Sequence, residues 1–186
     1  MPEVGRLSRP GARVIVVGGP GSGKSTVAAE IARRHVGVAS LELDSLWWGP
    51  DWRPAAAHDF EATLRSHVEC QPSWVLDGNY FDVGAKTIAW PAADTLVWLD
   101  LPRRAAVGRA LRRTGSRILR RTELWGGNRQ RLSDLRPSSI IGLVRNWPSY
   151  GAGIEELVRA GHADHLDVVR LRSQREVDEF VRSLSS

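Results

Sequence analysis

Residues Val14–Val17 form an unbroken apolar run, and Gly18-Gly19-Pro20-Gly21-Ser22-Gly23-Lys24-Ser25-Thr26 follows it directly. A stretch of this kind works only as a unit in which a buried strand delivers a loop and a helix leaves it. The glycines let successive backbone N–H groups turn inward around a polyphosphate, and a helix expected over Thr26 to Arg34 points its positive N-terminus at the same anion. In that pattern Lys24 reaches the β- and γ-phosphates and the Ser25 hydroxyl ligates Mg²⁺. Of 26 basic residues only Lys24 and Lys86 are lysines. A planar guanidinium is too wide for a loop shaped around a compact ammonium, so the lysine at this place is informative.

The 186 residues suit one domain spanning the whole chain, long enough to bury a real core. Nothing approaches the roughly 18 consecutive apolar residues of a membrane span. Met1–Arg13 lacks the apolar segment of a signal peptide, so a cytoplasmic protein is expected. The single cysteine, Cys70, cannot form an internal disulfide, and no Cys/His cluster suggests zinc. Cys70 follows a helical pattern and reads as a buried or half-buried small hydrophobe.

Short apolar strands alternate with amphipathic helices, with no internal repeat and no low-complexity linker, which predicts an α/β fold with a five-stranded parallel sheet covered on both faces. Strands are expected at Arg13–Val17, Ala39–Leu43, Trp74–Leu76, Thr95–Leu99 and Val168–Leu171. Pro54 opens a helix in which Phe60, Leu64 and Val68 form a buried stripe, and Pro102 opens another. Further helices are expected over Ser138–Asn146, Ile154–Arg159 and Glu176–Ser183.

Ligands of open parallel sheets bind beyond the carboxyl ends of the strands, and three of those positions carry aspartates: Asp44, Asp77 and Asp100. Asp77, after Trp74-Val75-Leu76, fits a carboxylate that orients the Mg²⁺ shell. Asp100, just before Pro102, fits a helix N-cap.

The net charge of +5 is regional. Between Leu101 and Arg136 eleven arginines stand against only Glu123 and Asp134. Such a stretch is either a solvated basic face, a nucleic-acid footprint, or an arginine-rich helical lid over about 112–135 that closes on phosphates. The phosphate loop in the same chain favours the lid.

With these residues in view, the chain resembles the small-kinase branch of P-loop proteins that contains adenylate, shikimate and gluconate kinases. The resemblance covers nearly the whole length. It rests on Gly18–Thr26, Leu76-Asp77-Gly78, Asp100-Leu101-Pro102, and Arg109 with Arg113, which match arginines at the lid base of adenylate kinases. Leu43-Asp44-Ser45-Leu46-Trp47-Trp48, Asp77-Gly78-Asn79-Tyr80 and Arg121-Thr122-Glu123-Leu124-Trp125-Gly126-Gly127-Asn128-Arg129 are closer to the adenylate-kinase-like "topology modulation protein" group. That likeness implies ATP and Mg²⁺ as cofactors. It also implies Arg109 and Arg113 on the transferring phosphoryl group, with Arg117, Arg121 and Arg129 as further lid contacts. Arg172 and Ser173 lie where this fold commonly contacts adenine; alternatively Ser173 caps a helix and Glu176 completes a capping box.

The departures from adenylate kinases are as telling. Trp47 and Phe81 stand where that family places the two arginines that grip the acceptor's phosphate, so an acceptor monophosphate would be poorly held. Trp47, Trp48 and Trp52, with Tyr80 and Phe81 opposite, either pack as core or suit an acceptor with a flat or apolar body in a region of about residues 44–70. Asp44 would orient or deprotonate the attacking hydroxyl, or hold water on Mg²⁺; Asn79 either hydrogen-bonds the acceptor or merely suits a tight turn.

The expected function is an ATP- and Mg²⁺-dependent phosphotransferase acting on a small acceptor, with no membrane partner. Two other readings stay open: a nucleotide-gated regulator whose basic lid contacts nucleic acid, and an ATPase without an acceptor.

Overall fold

The computed structural model describes residues 12–34, 38–135 and 137–184. Most of Met1–Arg13, and Arg136 of the basic stretch, lie outside the described residues. Five strands, β1 (Arg13–Gly18), β2 (Ala39–Glu42), β3 (Trp74–Asp77), β4 (Thr95–Leu99) and β5 (Asp167–Leu171), form one sheet in the order β2-β3-β1-β4-β5. Every pairing is parallel, with Ile15 opposite Leu76 on one side and Leu96 on the other. Alternation along the strands sorts their side chains onto two faces. Ile15, Val17, Trp74, Leu76, Leu96 and Trp98 meet Phe60, Leu64 and Val68 of α3 (Ala57–Cys70), Trp90 of α4 (Trp90–Ala92) and Ile154 of α6 (Pro137–Arg159). On the other face Val14, Val16, Val75, Val97 and Leu99 meet Val27 and Ile31 of α1 (Lys24–Arg34) and Val177 and Phe180 of α7 (Gln174–Ser183). Continuous apolar strands are what a sheet buried on both faces requires.

The chain leaves β1 for one face through α1, and leaves β3 for the other through a π-helical turn at Ala85–Ala89 and α4. The crevice of such a switch opens beyond the strand ends, here between Gly18 and Asp77.

Four local expectations are corrected. The helix expected to open at Pro54 begins at Ala57, because Pro54 bridges back to Trp48 and Ala55 N–H donates to the Trp47 carbonyl at 2.8 Å. Pro102 is the N-cap of α5 (Arg103–Leu119) rather than its first residue, and Asp100 does not cap it. Asp100 instead accepts from the Arg170 guanidinium at 2.7 and 2.9 Å, and Arg170 lies 3.9 Å over the Trp98 ring. The two helices expected at 138–146 and 154–159 are one, α6, which runs through Pro148. The missing N–H forfeits one helical bond, and burial of Ile154 with the packing of Leu157 and Val158 offsets it. Cys70 is exposed, because two residues past Val68 a helix has turned to its solvent side.

At the start of α7, Ser173 Oγ accepts from Glu176 N–H at 3.2 Å, and Glu176 carboxylate oxygens accept from Ser173 Oγ at 3.0 Å and Arg172 N–H at 2.8 Å. Ser173→Ala is expected to cost about 1 kcal/mol of stability, read as a lowered Tm. ATP affinity should stay unchanged, since that hydroxyl is committed to the cap. A large loss of affinity at unchanged Tm would show that the hydroxyl serves the nucleotide instead.

Candidate active site

The loop after β1 opens into α1, whose first turn is fastened by Val27 N–H to the Gly23 carbonyl at 3.0 Å. Lys24 curls back so that Nζ donates to the Gly19 carbonyl at 3.3 Å, which lays the ammonium across the loop rather than along the helix. Burial pulls Lys24 below the ordinary lysine range, opposed by the charges of Asp77 and Asp44. Asp77 is buried, and burial pushes its carboxyl upward, while Lys24 and the Ser25 hydroxyl pull it back.

Around these groups lies a cavity of about 320 Å³ lined by Lys24, Ser25, Asp44, Trp48, Asp77, Gly78, Asn79, Tyr80, Arg113 and Arg117, with Pro20, Trp125 and Tyr150 completing it. Residues from the loop, both strand ends, α5, the segment after α5, and α6 therefore converge on one space. Asp44 comes from α2 (Leu43–Trp47) and accepts a hydrogen bond from Tyr80 Oη. The Tyr80 ring is held 5.3 Å from Phe60 and 5.7 Å from Trp47. Burial, and then the Asp44 carboxylate, hold the Tyr80 phenol well above its ordinary range, so it stays a donor.

Asp77 Oδ1 is buried and has no hydrogen-bond partner, with Ser25 beside it. A buried, unpaired carboxylate oxygen next to a hydroxyl fits a Mg²⁺ shell that draws its remaining ligands from phosphates and water. Among the described residues there is no cluster of three His, Cys, Asp or Glu able to hold a metal.

Several expected residues sit elsewhere or have their polar groups engaged by other partners. Asn79 lines the cavity, but its carboxamide is engaged with backbone: Oδ1 accepts from Gly18 N–H and Nδ2 donates to the Gly18 carbonyl, both at 3.2 Å. It stitches the ends of β1 and β3 together. Arg109 lies behind the loop, with Nε donating to the Gly21 carbonyl and Nη1 to Gln174 Oε1, each at 2.9 Å. Arg121 is exposed, and Arg129 sits 3.5 Å from Glu123, both away from the cavity. Trp47 lines a neighbouring cavity instead, while Arg172 and Ser173 belong to the α7 entry. Sequence reasoning missed Gly78, Trp125 and Tyr150 as cavity walls. For Trp125 the signal was present in the Trp-Gly-Gly-Asn stretch.

The segment after α5 is fastened over the cavity. Asn128 is buried; its Nδ2 donates to the Gly49 and Trp125 carbonyls at 2.7 Å each, and its Oδ1 accepts from Trp52 N–H at 3.0 Å. Gly126, at φ +65°, lies so close to the Gly49 backbone that a Cβ would come within 2.5 Å of it. Trp125 Nε1 donates to Glu42 Oε2 at 3.0 Å, and Arg117 stands 6.0 Å from the Trp125 ring centroid. Asn128→Ala removes three bonds at once and is expected to speed trypsin cleavage at Arg120, Arg121, Arg129 and Arg131 by about tenfold or more, since each lost buried bond weakens the closed form by about 1 kcal/mol. Unchanged cleavage would show that the segment is held by other contacts.

Among solved structures, the chain is similar to a shikimate kinase from Bacteroides thetaiotaomicron, with 15% identity, 93% of this chain and 95% of that one covered, and a TM-score of 0.50. The fold is that of the P-loop kinases. A sugar kinase from a Janibacter species (20% identity, 94% and 92% covered, TM-score 0.49) and a gluconokinase from Sinorhizobium meliloti (19%, 95% and 90%, 0.48) are also similar. No family model and no curated protein matches the chain. Among the described residues of this P-loop kinase fold, no helix is long and apolar enough to cross a membrane.

Proposed function

We propose that the protein is an ATP- and Mg²⁺-dependent phosphotransferase that moves the γ-phosphoryl group to a hydroxyl of a small acceptor, and that it stands nearer the adenylate-kinase-like group than the AMP kinases. The supporting observation is the convergence of Lys24, Ser25, Asp44, Asp77, Arg113 and Arg117 on one cavity at the sheet's carboxyl edge.

Phosphoryl transfer asks a protein mainly for positioning and charge neutralisation. Loop N–H groups and Lys24 hold the β- and γ-phosphates, and Arg113 with Arg117 neutralises charge that gathers on the transferring group. Ser25 and Asp77 would hold Mg²⁺, which supplies Lewis-acid neutralisation of the phosphates when bound. Asp44, fixed by Tyr80, accepts the proton of the attacking hydroxyl as the bond to the β-phosphate oxygen breaks and ADP leaves. Arg109 supports the loop from behind through the Gly21 carbonyl.

The test is ADP release measured across hydroxyl-bearing acceptors, with and without nucleic acid. Stimulation by a small acceptor supports the assignment. ADP release that no acceptor stimulates would point to an ATPase, and stimulation by nucleic acid alone to a nucleotide-gated regulator.

A further inference from the structure

A second cavity, of about 720 Å³, lies between the chain after β3 and helix α6. It shares Asn79, Tyr80 and Tyr150 with the phosphate cavity, so the two spaces meet at the hydrogen-bonded Tyr80–Asp44 pair. Trp47, Phe81 and Leu157 give it an apolar wall. Lys86 faces it, half-buried. In a chain that uses arginine for nearly every cation, this is the only lysine besides Lys24. No ion pair holds it among the described residues; Asp82 and Glu156, on the same cavity, are exposed at its rim, where water screens them.

The backbone that carries Lys86 is shaped rather than regular. Tyr80 sits at φ +23° and Gly84 at φ +98°, and the next residues form a π-helical turn closed by Trp90 N–H on the Ala85 carbonyl. A Cβ on Gly84 would come within 2.7 Å of the Glu61 side chain, so α3 presses on this turn and fixes it. π turns and left-handed residues persist where the surrounding structure holds them, and they collect at functional sites.

We propose that this cavity holds the body of the acceptor, that the acceptor carries an anionic group remote from its reacting hydroxyl, and that Lys86 binds that anion. The inference rests on the phosphotransferase reading of the adjoining cavity. The ammonium, a point charge on a flexible stem, suits a carboxylate or a phosphate at the end of a flat or apolar body.

The experiment compares three pairs of probes, each an anion with its neutral partner: 4-(hydroxymethyl)benzoate with 1,4-benzenedimethanol, D-gluconate with D-glucitol, and uridine 5′-monophosphate with uridine. Wild type, Lys86→Met and Lys86→Arg are assayed for ADP release and, separately, for quenching of tryptophan fluorescence, since Trp47 lines the cavity. At least one anionic member is expected to surpass its neutral partner. Lys86→Met should raise the KM for that anion by about tenfold with kcat and the KM for ATP little changed, as expected for a lost charge-assisted hydrogen bond, and Lys86→Arg should restore most of it. The pair that responds tells carboxylate from phosphate. Equal response to anion and neutral partner throughout, or an anion KM indifferent to Lys86→Met, overturns the proposal. Lys86-dependent quenching by an anion with no stimulated ADP release would uphold the anion site and sink the phosphotransferase reading. Neither signal from any probe would overturn the site.

Discussion

Lys24→Met is expected to lower acceptor-stimulated ADP release by about a thousandfold, the cost of removing a preorganised charge aimed at a developing anion. Its ammonium lies across the loop, half-buried, with the charges of Asp77 and Asp44 acting against its desolvation. Methionine keeps the length and the apolar stem but supplies no charge. The folded state should survive, because burial already disfavours the charged lysine. An unchanged circular dichroism spectrum with retained Tm, beside lost turnover, is the expected pair of readings. Turnover within a few fold of wild type would overturn the assignment of this loop to phosphate chemistry.

The second large effect belongs to Gly21→Ala. Gly21 sits at φ +75°, and a Cβ there would lie 2.2 Å from the Ala106 carbonyl oxygen and 2.9 Å from Ala110 N of α5. Left-handed strain of about 1–2 kcal/mol adds to about 1–3 kcal/mol for overpacking against backbone that cannot step aside. For a chain of this size the sum corresponds to a Tm lowered by roughly 10 °C. ATP affinity should fall by about a hundredfold, since a displacement near 1 Å is enough to spoil positioning. Gly23→Ala is the control: φ is +100°, yet a Cβ would meet nothing within 4 Å. It should show the strain alone and a smaller loss of stability. Equal losses at both positions would mean that the contact with α5 is immaterial.

How far the sequence could be read depends on where each residue's partner lies. β1 and β4 were legible because their side chains are apolar on both faces, and Lys24, Ser25, Asp44 and Asp77 because strand ends and loop spacing place them by local rules. Asp100 was misread because a helix cap and an ion pair look alike until Arg170, seventy residues on, is brought to it by the β4–β5 register. The tie that Asn79 makes was hidden for the same reason: its partner is the Gly18 backbone, 61 residues earlier. Tyr150 could not be placed while α6 was expected to break near Pro148, since a broken helix carries no register from Ile154 back to the cavity. Arg109 and Arg113 share a helix face by spacing, yet one props the loop and the other lines the cavity, a division that only α5's height over Gly21 decides.

The paired bonds between Asn79 and the Gly18 backbone have a thermodynamic consequence. They couple the turn that leaves β3 to the mouth of the loop by contacts formed when the chain folds, so, under the proposed function, the conformational entropy of aligning the two sides of the site is lost then and not at each turnover. The Asn128-fastened segment is likewise held by bonds already made in the folded chain. Calorimetry of nucleotide binding should therefore report only a small loss of conformational entropy from this part of the chain.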